Sequence, residues 1–396
     1  MNRRFQFVLV GFSTAIVALL LFGAVGRSAS PETPYAHLGV YSEVLSRIKA
    51  DYVEEPDMKA VTIGAINGML ESLDPYASYL NADQYKQYLK SKEGAKKADI
   101  GLVLAKRLGY MAVEDAIPGS PAAEAGFATG DVIETINNVS TRDMPLAFAE
   151  ILLQGDAGTT VELGVIRVRR SEPSKMTVKR AQVAYPPVTG RLQGRVGIIA
   201  VPGLQTGRAK DVAAQIASLE KQGANKLVLD LRHCSTGSDE EGVALANLFM
   251  DTGLITYTQG QKQARQDYRA MSRSVTQVPL ALIVNRSTAG GAEIAAAALL
   301  NSKRAQLIGE RTYGDAAVRK TLALNDGAAV ILSVAKYYSP DGKAIQDNGV
   351  TPGILQAEAD TAADLADDLP DAVQDDTSKK PATDELLNKA IQALPQ

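Results

Sequence analysis

The sequence predicts a multidomain α/β protein of α+β layout, in which an N-terminal helical region and a middle of mainly β structure precede an α/β core. Three features predict it. Before residue 95, apolar side chains recur at helical spacing in YSEVLSRIKADYV and VTIGAINGMLESL. Between Ile100 and about Arg170, the runs IGLVLA, YMAVEDAI, GDVIETINN and TVELGVIRV alternate or run apolar between glycine and proline turns, with the helix PLAFAEILLQ among them. From about Val196 to Ile354, strand-like VGIIAV, KLVLDLR and LALIV take turns with helix-like AKDVAAQIASLEKQG, GVALANLFM and AEIAAAALL.

The elements follow in order from the N-terminus. Arg3 and Arg4 precede an uncharged apolar run, Phe7 to Val25, whose 19 residues approach the length of a membrane-spanning helix. Residues 1–30 are therefore expected to be an inner-membrane anchor or a signal peptide, with Ala24-Val25-Gly26 as a small-residue cleavage site. Either arrangement puts the remainder in the cell envelope, facing or free in the periplasm. Residues 35–95 form the helical region, in which Asp74-Pro75 breaks the second helix and tyrosines 76, 79, 85 and 88 read as packing. The strand-rich module occupies 96–183 and the α/β core 184–356. In the remaining 357–396, eight acids and no base lie between Glu358 and Asp376, a solvated tail that ends in the amphipathic DELLNKAIQAL.

Composition excludes several function classes. A net charge of −3 gives no electrostatic footprint for nucleic acid. Cys234 is the only cysteine, so no disulfide forms within the chain. With His37 and His233 the only histidines, a histidine-rich zinc site is not expected, and no metal or cofactor is called for. Catalysis would have to use serine, threonine, lysine, carboxylates or that one thiol.

Within the strand-rich module, IGL (Ile100 to Leu102), SPAAEAGFATGDVI (Ser120 to Ile133) and PLAFAEILL come in the order that resembles a PDZ domain of the bacterial protease type. In such a domain a peptide adds as a strand and its C-terminal carboxylate meets backbone N–H groups of the glycine-containing loop. The resemblance implies that Ile100, Gly101 and Leu102 form that loop, and that Ala149, Leu152 and Leu153 line the peptide pocket.

Together with LVLDLR (Leu227 to Arg232), STAGGAEI (Ser287 to Ile294), IGERTYG (Ile308 to Gly314) and LSVAKYYSPDGKAIQDNGVTPGI (Leu332 to Ile354), the chain resembles the carboxyl-terminal processing (tail-specific) proteases. Active members of that family pair a nucleophilic serine with a lysine base and a supporting glutamine. A lysine held in low dielectric sheds its proton more readily and can then take one from a hydroxyl. The resemblance places the serine three residues before Glu293, at Gly290; the lysine after Thr312-Tyr313-Gly314, at Asp315; and the glutamine at Arg319. All three are replaced. The oxyanion loop is altered too: His233 to Gly237 has Thr236 where relatives have one glycine of a pair, and its side chain is expected to crowd the N–H donors.

Asp315 and Arg319, four residues apart, are expected to form an ion pair, because an unpartnered carboxylate in the cleft would be costly. The expected function is that of a pseudoprotease binding peptide or protein C-termini, or partner subunits, as a homo-oligomer or together with an active relative. One alternative is an active serine endopeptidase in which Ser287 or Thr288 moves into the cleft, with Lys303, Lys320 or Lys343 as base. A Cys234–His233–Asp315 arrangement is disfavoured, since adjacent residues seldom aim side chains at each other. The other alternative is an architectural subunit.

Overall fold

A computed structural model describes residues 38–93, 97–167, 173–271, 273–357 and 384–395, so the apolar run Phe7 to Val25 and the acidic tail lie outside the described residues. Among the described residues no helix is long and apolar enough to cross a membrane. The chain divides into a unit ending at Ala65 and a unit from Ile66 onward. In the first, α1 (Leu38–Asp51) buries none of its side chains, and Leu38, Val40 and Val44 are more than half exposed. Helix α2 (Met58–Glu71) begins where Asp57 Oδ1 accepts from the N–H groups of Lys59 and Ala60.

The second unit opens with β1 (Ser78–Leu80) and α3 (Ala82–Glu93). Asn81 and Gln84 cap α3 reciprocally, each side-chain oxygen accepting from the other's backbone N–H at 3.0 Å. The strand-rich module follows: β2 (Leu102–Arg107), β3 (Tyr110–Ala116), α4 (Pro121–Glu124), β4 (Val132–Ile136), β5 (Val139–Ser140), α5 (Leu146–Leu153), β6 (Thr160–Ile166) and β7 (Ser174–Lys179). Its sheet runs β2-β3-β4-β6-β7, antiparallel throughout, with β5 pairing β4. Ile100, Met111, Ile133, Ile136, Leu153 and Leu163 fill its core. Arg180 closes the module, because its guanidinium donates to the carbonyls of Leu152, Leu153 and Thr160 at 2.6–2.9 Å and so satisfies the open C-terminus of α5.

The remaining elements are β8 (Thr189–Gln193), β9 (Val196–Ala200), α6 (Arg208–Lys221), β10 (Lys226–Asp230), α7 (Asp239–Asn247), β11 (Leu254–Gln259), β12 (Gln266–Arg269), β13 (Leu280–Val284), α8 (Gly291–Asn301), β14 (Ala305–Gly309), β15 (Ala317–Ala323), β16 (Ala329–Tyr338), β17 (Ile354–Leu355) and α9 (Glu385–Ala393). Strands β17-β14-β13-β10-β9-β8 form one sheet, parallel except for β8. A second, antiparallel sheet runs β1-β16-β11-β12, with β15 also on β16. The apolar strands of the parallel sheet are buried on both faces. On one face sit α6, α7 and α8, and α8 is buried from Gly291 through Leu299. On the other, α9 lays Leu386, Leu387, Ala390 and Leu394 against Ile198, Val228, Ile283 and Ile308. The terminal helix docks, held by Arg232, which bonds Asp230 at 2.6 Å and Asp384 at 2.8 Å.

Helices α7 and α8 cross closely because two glycines meet: a Cβ on Gly242 would lie 2.1 Å from the Gly291 carbonyl oxygen. That crossing fixes where α8 begins. Gly242→Ala should therefore lower stability by about 1–3 kcal/mol, because backbone rather than a flexible side chain would have to move. Chemical denaturation of the two proteins checks this.

Candidate active site

The loops after β10, β13 and β14 gather at the carboxyl ends of the parallel strands, where open α/β sheets place their ligands. The loop after β13 is tied down by Thr288. Its Oγ1 donates to the Leu231 carbonyl at 2.9 Å and accepts from Asn285 N at 3.0 Å. Gly290 then turns the chain into α8 with φ 60° and ψ −126°. A Cβ there would have room, 3.6 Å from the Asp315 carbonyl oxygen and 3.9 Å from Asp239 Oδ1. The backbone shape, not space, selects glycine. The same distances show that the structure brings positions 290 and 315 together.

Glu293, wholly buried in the first turn of α8, joins the two loops. Its Oε2 accepts from Gly290 N at 3.1 Å and Asp315 N at 2.8 Å. Its Oε1 accepts from Gly314 N at 2.8 Å and from the Thr312 hydroxyl. Thr312 Oγ1 in turn accepts from Val350 N at 2.7 Å. Burial outweighs these hydrogen bonds and pushes the Glu293 carboxyl up to about 8.

The cleft between the loops has a volume of about 280 Å³ and is lined by residues 235–240, 289–291, Asp315, Ala317 and Arg319. Among these lining residues there is no lysine or histidine. Their hydroxyls are engaged: Ser235 donates to Asp115 Oδ2 at 2.9 Å, Thr236 accepts from Gln205 Nε2 at 2.9 Å, and Ser238 caps α7 through Glu241 N. Arg319 lies against Asp315 as the sequence leads one to expect, with both guanidinium Nη atoms on the two carboxylate oxygens. The guanidinium also covers the Tyr76 ring at 3.9 Å. Burial raises Asp315 while Arg319 pulls it back. Burial and the charge of Asp315 push Asp239 up to about 7. Burial likewise raises Glu114, which reaches this region from β3.

The other sequence candidates sit elsewhere. Ser287 is buried with its Oγ 2.6 Å from Thr129 Oγ1, and it does not line the cleft. Thr288 is buried and committed to Leu231. Cys234 is fully buried, and burial pushes its thiol up, so it is a core residue. His233 Nδ1 lies 3.1 Å from Asp115 Oδ1, a contact between the strand-rich module and the core. Thr236 lies over Gly203 and borders both this cleft and a second groove.

That second groove, of about 300 Å³, runs beside β2. Gly101 and Leu102 line it; the side chains of Ile100, Ala149 and Leu153 are buried in the module core, Ile100 keeping its backbone N–H in the loop, and Leu152 packs partly buried against the same core. Glu150 and Gln154 supply the helix side instead. The PDZ resemblance implies Ala149, Leu152 and Leu153 for the groove, but that face of α5 is the one the module needs for its own core. Sequence reading also missed Glu293 as the joint between loops, although an acid three residues after a strand-to-helix turn is the spacing of a capping box.

Two outcomes follow. Glu293→Gln should cost about 1–3 kcal/mol, since either amide orientation turns an NH₂ toward N–H donors. An unfolded carboxyl ionises near pH 4, whereas Glu293 and Asp239 hold their protons to about 8 and about 7. The folded state therefore binds more protons in that interval, and stability present below about pH 4 is lost as pH rises to about 8, by up to about 1.4 kcal/mol per group per pH unit. Urea unfolding between pH 5 and 8.5 reads both effects, and the pH slope should shrink in Glu293→Gln.

Comparison with known proteins agrees with this architecture. The family model for peptidase family S41 matches residues 195–355, that for a PDZ domain residues 113–167, and that for the activating protease CtpB N-terminal domain residues 27–84. The carboxy-terminal processing protease CtpA of Bacillus subtilis is 32% identical over 367 residues, covering 89% of this chain and 78% of the relative. A carboxy-terminal-processing protease of Bartonella bacilliformis is 28% identical, covering 90% and 83%. Among solved structures, a photosystem II D1 C-terminal processing protease superposes with a TM-score of 0.67 at 26% identity, over 81% of this chain and 93% of the other. With its core and its strand-rich module both matched, this chain belongs to the carboxyl-terminal processing protease family.

Proposed function

We propose that this family member is a pseudoprotease: it holds polypeptide segments or partner subunits in the cell envelope without Ser-Lys catalysis. One observation carries the reading. The cleft presents glycine at 290 and an Asp315–Arg319 ion pair beside it, with no lysine or histidine among its lining residues. Nucleophilic hydrolysis needs a hydroxyl or thiol within hydrogen-bond reach of a base. Arg319 cannot serve as that base, because its guanidinium stays protonated. Asp315 is engaged by it. The reading in which Ser287 acts instead finds no support in its burial against Thr129. Association with a second copy or an active relative is part of the proposal, and the exposed apolar side chains of α1 favour it.

The test is proteolysis. The full chain should leave casein intact under conditions in which an active relative degrades it. Gly290→Ser with Asp315→Lys and Arg319→Gln should still fall at least about 100-fold short of that relative, because a single impaired oxyanion donor costs about 10²–10³ in rate and the serine must adopt φ 60°. Turnover of casein by the unaltered chain, abolished by Ser287→Ala, would refute the proposal. Fractionation tests the location: the chain should sediment with inner membranes after a high-salt wash, or appear in the periplasm shortened to begin near Arg27.

A further inference from the structure

Strand β2 is an edge of its sheet, and the groove beside it is walled by residues 101–104 and by Glu150 and Gln154, with Lys97 and Asp99 next to the loop. When a peptide adds as a strand here and ends at the loop, consecutive backbone N–H groups receive its terminal carboxylate. Two of those N–H groups already have a carboxylate. Asp99 Oδ1 accepts from Ile100 N at 2.6 Å and from Gly101 N at 3.0 Å.

Asp99 is held in place. Its backbone exchanges both hydrogen bonds with Ala181 at 2.9 Å, so the residue is stitched to the end of the module. The loop is pinned from behind as well: the Ile100 carbonyl accepts from Ala122 N at 2.8 Å, and the Gly101 carbonyl from Ile117 N at 2.9 Å. Gly101 has φ +83°, and a Cβ on it would lie 2.3 Å from Ser120 Cβ, so the loop has little room to take another shape. The charges lining the groove point the same way, with Asp99 and Glu150 against Lys97 alone. A free chain end would bring a third carboxylate to donors that are already bonded.

We propose that Asp99 is a built-in replacement for a ligand's terminal carboxylate, so that the groove takes internal stretches of extended polypeptide, with a basic side chain near the loop, rather than free C-termini. This rests on the peptide-holding reading above and departs from the expectation that C-termini are the ligand. Main-chain hydrogen bonds along β2 would hold such a stretch, and Asp99 and Glu150 would meet the lysine or arginine.

The experiment uses the full chain and an array of random-sequence peptides, each printed twice, anchored by its N-terminus or by its C-terminus. Only the first form offers a free carboxylate. The unaltered chain should bind C-terminally anchored copies at least as well, with lysine- or arginine-containing sequences enriched. Asp99→Ala should raise binding to the free-carboxylate copies about tenfold, a shift of about 1.4 kcal/mol. Asp99→Asn keeps an acceptor for the two N–H groups and guards against a folding defect; loss of charge alone should give about a threefold gain. A tenfold preference for free carboxylates in the unaltered chain, or no gain in either variant, overturns this inference and leaves the peptide-holding reading standing. Binding to neither set overturns both.

Discussion

The loop cluster of this protein depends on one buried carboxyl. Glu293 takes hydrogen bonds from the backbone of residues 290, 314 and 315 and from the Thr312 hydroxyl, and so ties the start of α8 to the segment between β14 and β15. Through Thr312 the tie extends to Val350 and the approach to β17. Burying a carboxyl this completely is costly unless its oxygens are satisfied, and here both are. The frame of the cleft is thereby held by one wholly buried side chain. This tie keeps the loops that carry Gly290 and Asp315 in position.

Within that frame Gly290, Asp315 and Arg319 are mutually compatible. Gly290 occupies a backbone conformation that a side-chain-bearing residue would enter only under strain. Asp315 brings a negative charge into a region already holding Asp239, Glu293 and Glu114, and Arg319 supplies the compensating positive charge across four residues. The stacking of Arg319 on Tyr76 links the pair to the segment preceding β1. The result is a polar cleft.

Much of the fold was legible in the sequence because its strands are either alternating or wholly apolar, as in LALIV and KLVLD. The second sheet was not. Strands β12 and β15 are mostly exposed, and β1 joins β16 across some 250 residues, which no local pattern encodes. At the site, the Asp315–Arg319 pair could be read from spacing, since both residues lie in one short segment. The His233–Asp115 and Ser287–Thr129 contacts could not, because each joins the core to the strand-rich module more than a hundred residues away. Ala149 and Leu153 place their side chains in the module core rather than on the groove, whereas Ile100 serves the loop through its backbone N–H.

The two parts of the molecule meet at Thr236, which borders both the groove beside β2 and the cleft at Gly290. On the proposed reading, a polypeptide held in the first would lie next to the second. The most direct measurement is covalent trapping: incubation of the full chain with a fluorophosphonate at neutral and alkaline pH, followed by intact-mass and peptide mass spectrometry, with an active relative as positive control. The account predicts stoichiometric labelling of the relative's serine and no adduct on this chain. A single stoichiometric adduct, at Ser287 or Ser235 for instance, would contradict it.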